Sequence, residues 1–132
     1  MITFDQTKGT FHLSNGQISY VMQIEDGGNL AHIYYGKQLA DYSGGYRYPR
    51  VDRSFSPNPP DSTDRLFSLD TLMMEFPGNG FGDFREAAYD IRHNDGSHVT
   101  HFVYQEHQIM QGKPAIAGLP QTHGEAEAIE TL

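Results

Sequence analysis

The sequence predicts an all-β chain, an antiparallel β-sandwich with long irregular loops. Three observations carry that expectation. There are 14 Gly and 7 Pro among 132 residues, so turns are frequent and long helices have little room. Eight Tyr and eight Phe supply the aromatic side chains that strands favour. Two turn dipeptides, Asn15-Gly16 and Asp95-Gly96, each sit between runs of alternating apolar and polar residues, the strongest short-range hairpin signal.

The elements follow in order. Phe4, Phe11, Leu13, Ile18, Tyr20 and Met22 fall in short runs broken by Lys8-Gly9 and Ser14-Asn15-Gly16. Strands are expected near 10–14 and 17–24, joined through an Asn15-Gly16 turn with positive φ at both positions. Asp26-Gly27-Gly28-Asn29 is a second turn and 30–35 the next strand, so 4–35 reads as an antiparallel meander. Residues 41–68 carry Gly44-Gly45, Pro49, Pro57 and Pro59-Pro60, which excludes a central strand. Loops of that length in a compact domain are usually functional. This one holds Tyr42, Tyr46, Tyr48 and Phe55 with Arg47, Arg50, Arg53 and Arg65, a composition suited to packing on a partner. Residues 66–76 read as a strand or a short segment leading into Pro77-Gly78-Asn79-Gly80. Tyr89 to His93 and His98 to Met110 are expected to pair as a hairpin around Asn94-Asp95-Gly96-Ser97. Gly112-Lys113-Pro114 ends that strand, and an acidic tail runs from Glu125 to Leu132.

The net charge of −8 disfavours nucleic acid and anionic membrane surfaces as partners. No apolar run approaches the ~20 residues that span a bilayer, and the first residues lack the basic and apolar regions of a signal peptide. The absence of cysteine excludes disulfides, thiolate metal sites and cysteine nucleophiles, and fits a cytoplasmic location. No P-loop, G-x-G-x-x-G or G-x-S-x-G motif is present, and no cofactor is expected. Gly78-Asn79-Gly80-Phe81-Gly82 lacks a following helix to bind phosphate. Seven histidines raise the question of a metal. His98 and His101 are three apart and so face opposite sides of a strand, while His101 and His107 are too far apart for one ion. They are read as surface or strand histidines, with no metal site. Asp52, Asp64, Asp70, Glu75 and Asp83 are available as acids, but nothing in the spacing sets two of them across one bond. From the residues alone the chain reads as a sugar-binding or structural β-domain without chemistry of its own.

Five runs go further. FHLSNGQISYVMQI (11–24), LAHIYYGKQL (30–39), YPRVDRSFSPNP (48–59), RLFSLDTLMMEFPGNGFGDFREAAYDI (65–91) and GKPAIAGLPQT (112–122) closely resemble, in order and spacing, the N-terminal region of bacterial α-galactosidases of glycoside hydrolase family 36. The resemblance implies that residues 1–132 are a truncated N-terminal domain, part of a β-supersandwich. The catalytic (β/α)8 barrel and C-terminal β-domain would lie outside it. It implies a retaining hydrolase of terminal non-reducing α-D-galactosides of the melibiose and raffinose type, in carbohydrate metabolism. Both catalytic aspartates of the family belong to the barrel, so no residue of this chain is assigned as catalytic.

The resemblance also implies a homotetramer in which the N-terminal domain of one subunit reaches a neighbour's active site. Loop 41–68 is the natural contributor. Within it Asp52 matches a family position that binds sugar hydroxyls, which a carboxylate does well by accepting from adjacent groups. The alternative is a surface pairing of Asp52 with Arg50 or Arg53. Arg65 is a second candidate, with pairing to Asp61 or Asp64 as its alternative. Phe55 is a third, lining the pocket or else anchoring its own loop. In GDFREAAYDI (82–91), Asp83 is expected to pair with Arg85 or to cap the loop while Phe84 packs inside. Phe76 and Phe81 stand where the family commonly has tyrosines, so no hydroxyl contact is expected there. The competing reading is a free-standing carbohydrate-binding or assembly module, which a stop codon directly after Leu132 would favour.

Overall fold

The computed structural model describes residues 1–60, 62–120 and 130–132. Asp61, one expected partner of Arg65, and residues 125–129 of the acidic tail lie outside the described residues. The antiparallel all-β class is what the structure shows. Strands β1 (Ile2–Asp5), β2 (Thr10–Ser14), β3 (Ile18–Glu25) and β4 (Asn29–Lys37) form one sheet in sequence order. A small ladder joins β5 (Met110–Gln111) to β6 (Glu130–Thr131). Among the described residues no helix is long and apolar enough to cross a membrane.

The meander is the expected one, extended by β1. The Asn15 turn differs in mechanism. Only Gly16 there has positive φ; Asn15 does not. Instead the Asn15 side chain accepts from the backbone N–H groups of Gln17 and Ile18, both at 2.9 Å. An Asx turn thus reverses the chain where a primed turn was expected.

Register divides the sheet into two faces, because successive strand residues alternate. Phe4 lies opposite Phe11, and Phe11 opposite Met22. Tyr104 and His107 cover this face, with the His107 ring 4.3 Å from Phe4 and 4.8 Å from Phe11. The other face carries buried Thr10, His12, Ser19, Gln23 and Asn29 together with Val21 and Ala31. Its polar groups find partners: His12 Nε2 and Ser19 Oγ are 2.8 Å apart, and Ser19 Oγ also accepts from Leu39 N–H. Ala31 packs with Tyr48, Phe67, Leu69 and Leu72, the main apolar cluster.

Loop 41–68 therefore contributes to the core through Tyr48 and Phe67, although most of its other described residues are exposed. Tyr48 is buried and its hydroxyl donates to the His32 carbonyl. Residues 66–76 resolve into a 3-10 turn, Leu69–Thr71, and a short extended piece on the outer edge of β4. There His32 N–H donates to Met73 O at 2.7 Å and Glu75 N–H to Leu30 O at 2.9 Å. Tyr20 donates to Glu75, whose carboxylate also stands 3.5 Å from His32 Nδ1. Burial, reinforced by that carboxylate, pushes the Tyr20 hydroxyl far above its ordinary pKa, so it remains a donor.

The second hairpin is corrected. The Asp95-Gly96 turn forms, with Asp95 Oδ1 accepting from Ser97 N–H and His93 N–H donating to Ser97 O, each at 2.9 Å. The arms 89–93 and 98–109 form no strand ladder. A third segment explains why. Ala88 N–H bonds to Pro77 O, and Gly78 is seated between the arms, where a Cβ would fall 2.2 Å from Tyr89 Oη and 2.4 Å from Thr100 O. The arms meet through side chains instead: Tyr89 Oη donates to Thr100 O, His93 bonds Thr100 Oγ1, and His98 pairs with Asp90.

The arm 98–109 is fastened to the sheet by Asn29, which is buried. Its amide donates to Asp26 O at 2.7 Å and its Oδ1 lies 2.8 Å from His101 Nε2, so the neutral tautomer with the proton on Nε2 fits. Burial holds the His101 pKa below its ordinary 6.5. Above that value the ring is neutral in both states and the fold has its full stability. As pH falls, the unfolded chain takes up the proton first, and stability is lost until the folded pKa is passed. His101→Gln keeps a donor and removes the titration. Urea midpoints measured between about pH 7.5 and about pH 5 should fall less steeply for the variant. Parallel slopes would show that His101 does not carry this dependence.

Candidate functional site

Three arginines of the long loop, Arg50, Arg53 and Arg65, are paired with carboxylates. Arg50 reaches both Asp26 and Asp64, the latter at 2.6 Å, and its guanidinium lies 5.6 Å over the Phe67 ring. Arg53 holds Asp70. Arg65 places Nε and Nη2 at 3.3 and 3.1 Å from Asp52 Oδ1. Asp52 is thus paired with neither Arg50 nor Arg53, and Arg65 not with Asp64. Two of the three residues expected to bind sugar, Asp52 and Arg65, are partners of each other. Both are exposed, so the pair is weak and open to exchange with another polar ligand.

Phe55 is not an anchor for its loop. It is fully solvent-exposed at 104% and has φ +58°, the only non-glycine among the described residues in the left-handed region. Such a backbone costs of order 1–3 kcal/mol unless the surroundings enforce it. What it achieves here is to turn the ring outward beside Pro57.

Phe84 corrects a second expectation. It is 98% exposed rather than packed inside. Asp83 does pair with Arg85, Oδ2 to Nε at 2.7 Å, and Asp83 is buried. Arg85 also donates to Leu69 O at 2.9 Å. These bonds fix the backbone at 83–85 and leave the intervening ring pointing to solvent. No sequence signal marked it, because alternation has no meaning in an irregular segment.

Phe55 and Phe84 border one open cleft of about 630 Å3, floored by Thr71, Leu72 and Met73. Asp70 and Asp83, each held by its arginine, complete the rim. The volume lies within the ~300–1,000 Å3 of small-molecule sites. The two walls are joined at Gly82, where a Cβ would stand 2.8 Å from Pro57 Cβ at φ +77°. Apolar ring faces flanked by fixed carboxylates and guanidinium groups suit a ligand that is apolar on its faces and hydroxylated at its edge. Among the described residues no group of three or more His, Asp or Glu is placed to hold a metal ion.

Comparison with known proteins places this geometry. Residues 28–132 match the glycosyl hydrolase family 36 N-terminal domain. The chain is 52% identical over 128 residues to α-galactosidase AgaA of Geobacillus stearothermophilus, an alignment covering 96% of this chain and 17% of that protein. The crystal structure of family 36 α-galactosidase AgaB from the same organism superposes with a TM-score of 0.80 at 48% identity, covering 96% of this chain and 17% of that one. A doubly substituted AgaA in complex with stachyose gives a TM-score of 0.77 at 51% identity, covering 89% of this chain and 16% of that one. The chain therefore spans about a sixth of the length of the relatives it matches.

Proposed function

This chain belongs to the N-terminal domain family of glycosyl hydrolase family 36, and from that membership we propose that it serves an α-galactosidase as a non-catalytic domain. The whole enzyme would release terminal α-galactose from melibiose- and raffinose-type sugars, with configuration retained. Its two catalytic carboxylates would lie outside these 132 residues, in a barrel. The present segment would contribute substrate contacts at a neighbouring subunit's active site within a homotetramer. Its cysteine-free composition fits work in the cytoplasm.

One observation carries the binding role. Asp52, Arg65 and Phe55 all project from their loop into solvent, while Tyr48, Phe67 and Ser68 of the same loop are buried. Tyr46, Val51 and Phe55 are also exposed, an aromatic surface of the kind enriched where subunits meet.

Asp52→Ala in the full-length gene product tests the reading. Losing a charge-assisted bond to a hydroxyl costs about 1.5–3 kcal/mol, on the order of a 10- to 100-fold rise in KM. The melting temperature should stay put, because an exposed ion pair contributes little. An unchanged KM with a lowered melting temperature would assign Asp52 to structure alone.

A further inference from the structure

The cleft has two aromatic walls, and the proposed function uses only one. We propose that Phe84 is the wall of a second sugar subsite: it stacks on the second aglycone ring of an α-galactoside oligosaccharide and sets a preference for trisaccharides and longer sugars. This rests on the reading that Asp52, Arg65 and Phe55 meet the first aglycone ring.

Three features support it. Phe84 is 98% exposed, yet its backbone is fixed on both sides by the Asp83–Arg85 ion pair and the Arg85 bond to Leu69 O, so the ring is presented without a large ordering cost. It shares one cleft with Phe55, across a floor of Leu72 and Met73. The contact of Gly82 with Pro57 sets the spacing of the two walls through backbone, not through flexible side chains. The rings form no direct pair with each other, so each leaves a face free for a ligand. A sugar ring, the fructofuranose of raffinose or the glucopyranose of stachyose, offers C–H groups to an aromatic face and hydroxyls at its edge. Asp70 stands at the rim as an acceptor with its orientation already fixed by Arg53, while buried Asp83 serves to hold Arg85. A flat protein partner would need apolar surface where these charges lie.

The test uses the full-length enzyme with melibiose, which has one aglycone ring, and raffinose and stachyose, which have two or more. Phe84→Ala should lower kcat/KM for raffinose and stachyose about tenfold, the size of one lost aromatic contact, and leave melibiose unchanged. Phe84→Tyr keeps the ring and should restore the preference. Asp52→Ala runs alongside and should raise KM for all three sugars. An unchanged raffinose-to-melibiose ratio in Phe84→Ala, with the Asp52→Ala effect present, would overturn the second subsite and leave the first standing. Equal losses on all three sugars with a lowered melting temperature would show that Phe84 docks against protein, which also overturns it. No effect of either variant would remove both subsites together.

Discussion

Deleting residues 43–60 should abolish cooperative folding of this chain. The segment removes Tyr48 from the apolar cluster and exposes Ala31, Leu69 and Leu72. It takes away Arg50, which joins the β3–β4 turn at Asp26 to Asp64, and Arg53, which holds Asp70. It also removes Asn58, whose amide donates to Phe67 O at 2.6 Å and Arg65 O at 3.1 Å. Phe67, Leu69 and Leu72 would remain beside Ala31 but without Tyr48 over them and without the Arg50, Arg53 and Asn58 bonds that hold their segment in place. Near-ultraviolet circular dichroism and a thermal scan should show loss of fixed tertiary packing and no sharp transition. A deletion variant with a sharp transition at the parent temperature would show that the β-core folds independently of the loop.

Phe67→Ala should be the most damaging single substitution in the apolar cluster. Phe67 is 5% exposed, packs with Tyr48, Leu69, Leu72 and Ala31, and lies under the Arg50 guanidinium. Truncating a buried phenylalanine costs roughly 3–5 kcal/mol, because the lost transfer energy adds to that of the cavity left behind. The loss of the cation–ring contact adds to this, since Arg50 is then held only by its carboxylates. That is a large fraction of the whole stability of an ordinary domain. Urea unfolding should show a midpoint shift at nearly constant slope. A shift comparable to that of an exposed position such as Phe84→Ala would mean that Phe67 is not central to the packing.

Local chemistry made part of this readable. The meander 10–37 followed from alternation and two turn dipeptides, because a strand period and a turn residue act over a few neighbours. The Asp83–Arg85 pair was legible for the same reason: two residues apart, they need no distant element to meet. The Asn15 turn and the Asp95 turn were placed correctly, though at Asn15 the side chain rather than positive φ does the turning.

Distance in sequence set the limit elsewhere. Asp52 and Arg65 were each singled out, but Asp52 had two nearer arginines to choose from. Only the folded loop shows Arg50 and Arg53 already committed to Asp64 and Asp70. The arms around Asp95-Gly96 satisfy every local rule for a hairpin, and Gly78, from a segment more than ten residues earlier, occupies the space between them. Phe55 and Phe84 carry side chains that sequence rules place inside, and both stand in water, Phe55 on a left-handed backbone and Phe84 between Asp83 and Arg85, which are held by their own bonds. The sequence by itself determined the antiparallel meander, the turns and the family. The tertiary structure decided which charges pair, that the long loop sends Tyr48 and Phe67 into the core, and that two phenylalanines face one cleft. Those outcomes depend on competition among groups far apart along the chain, and such competition is resolved only when the chain is packed.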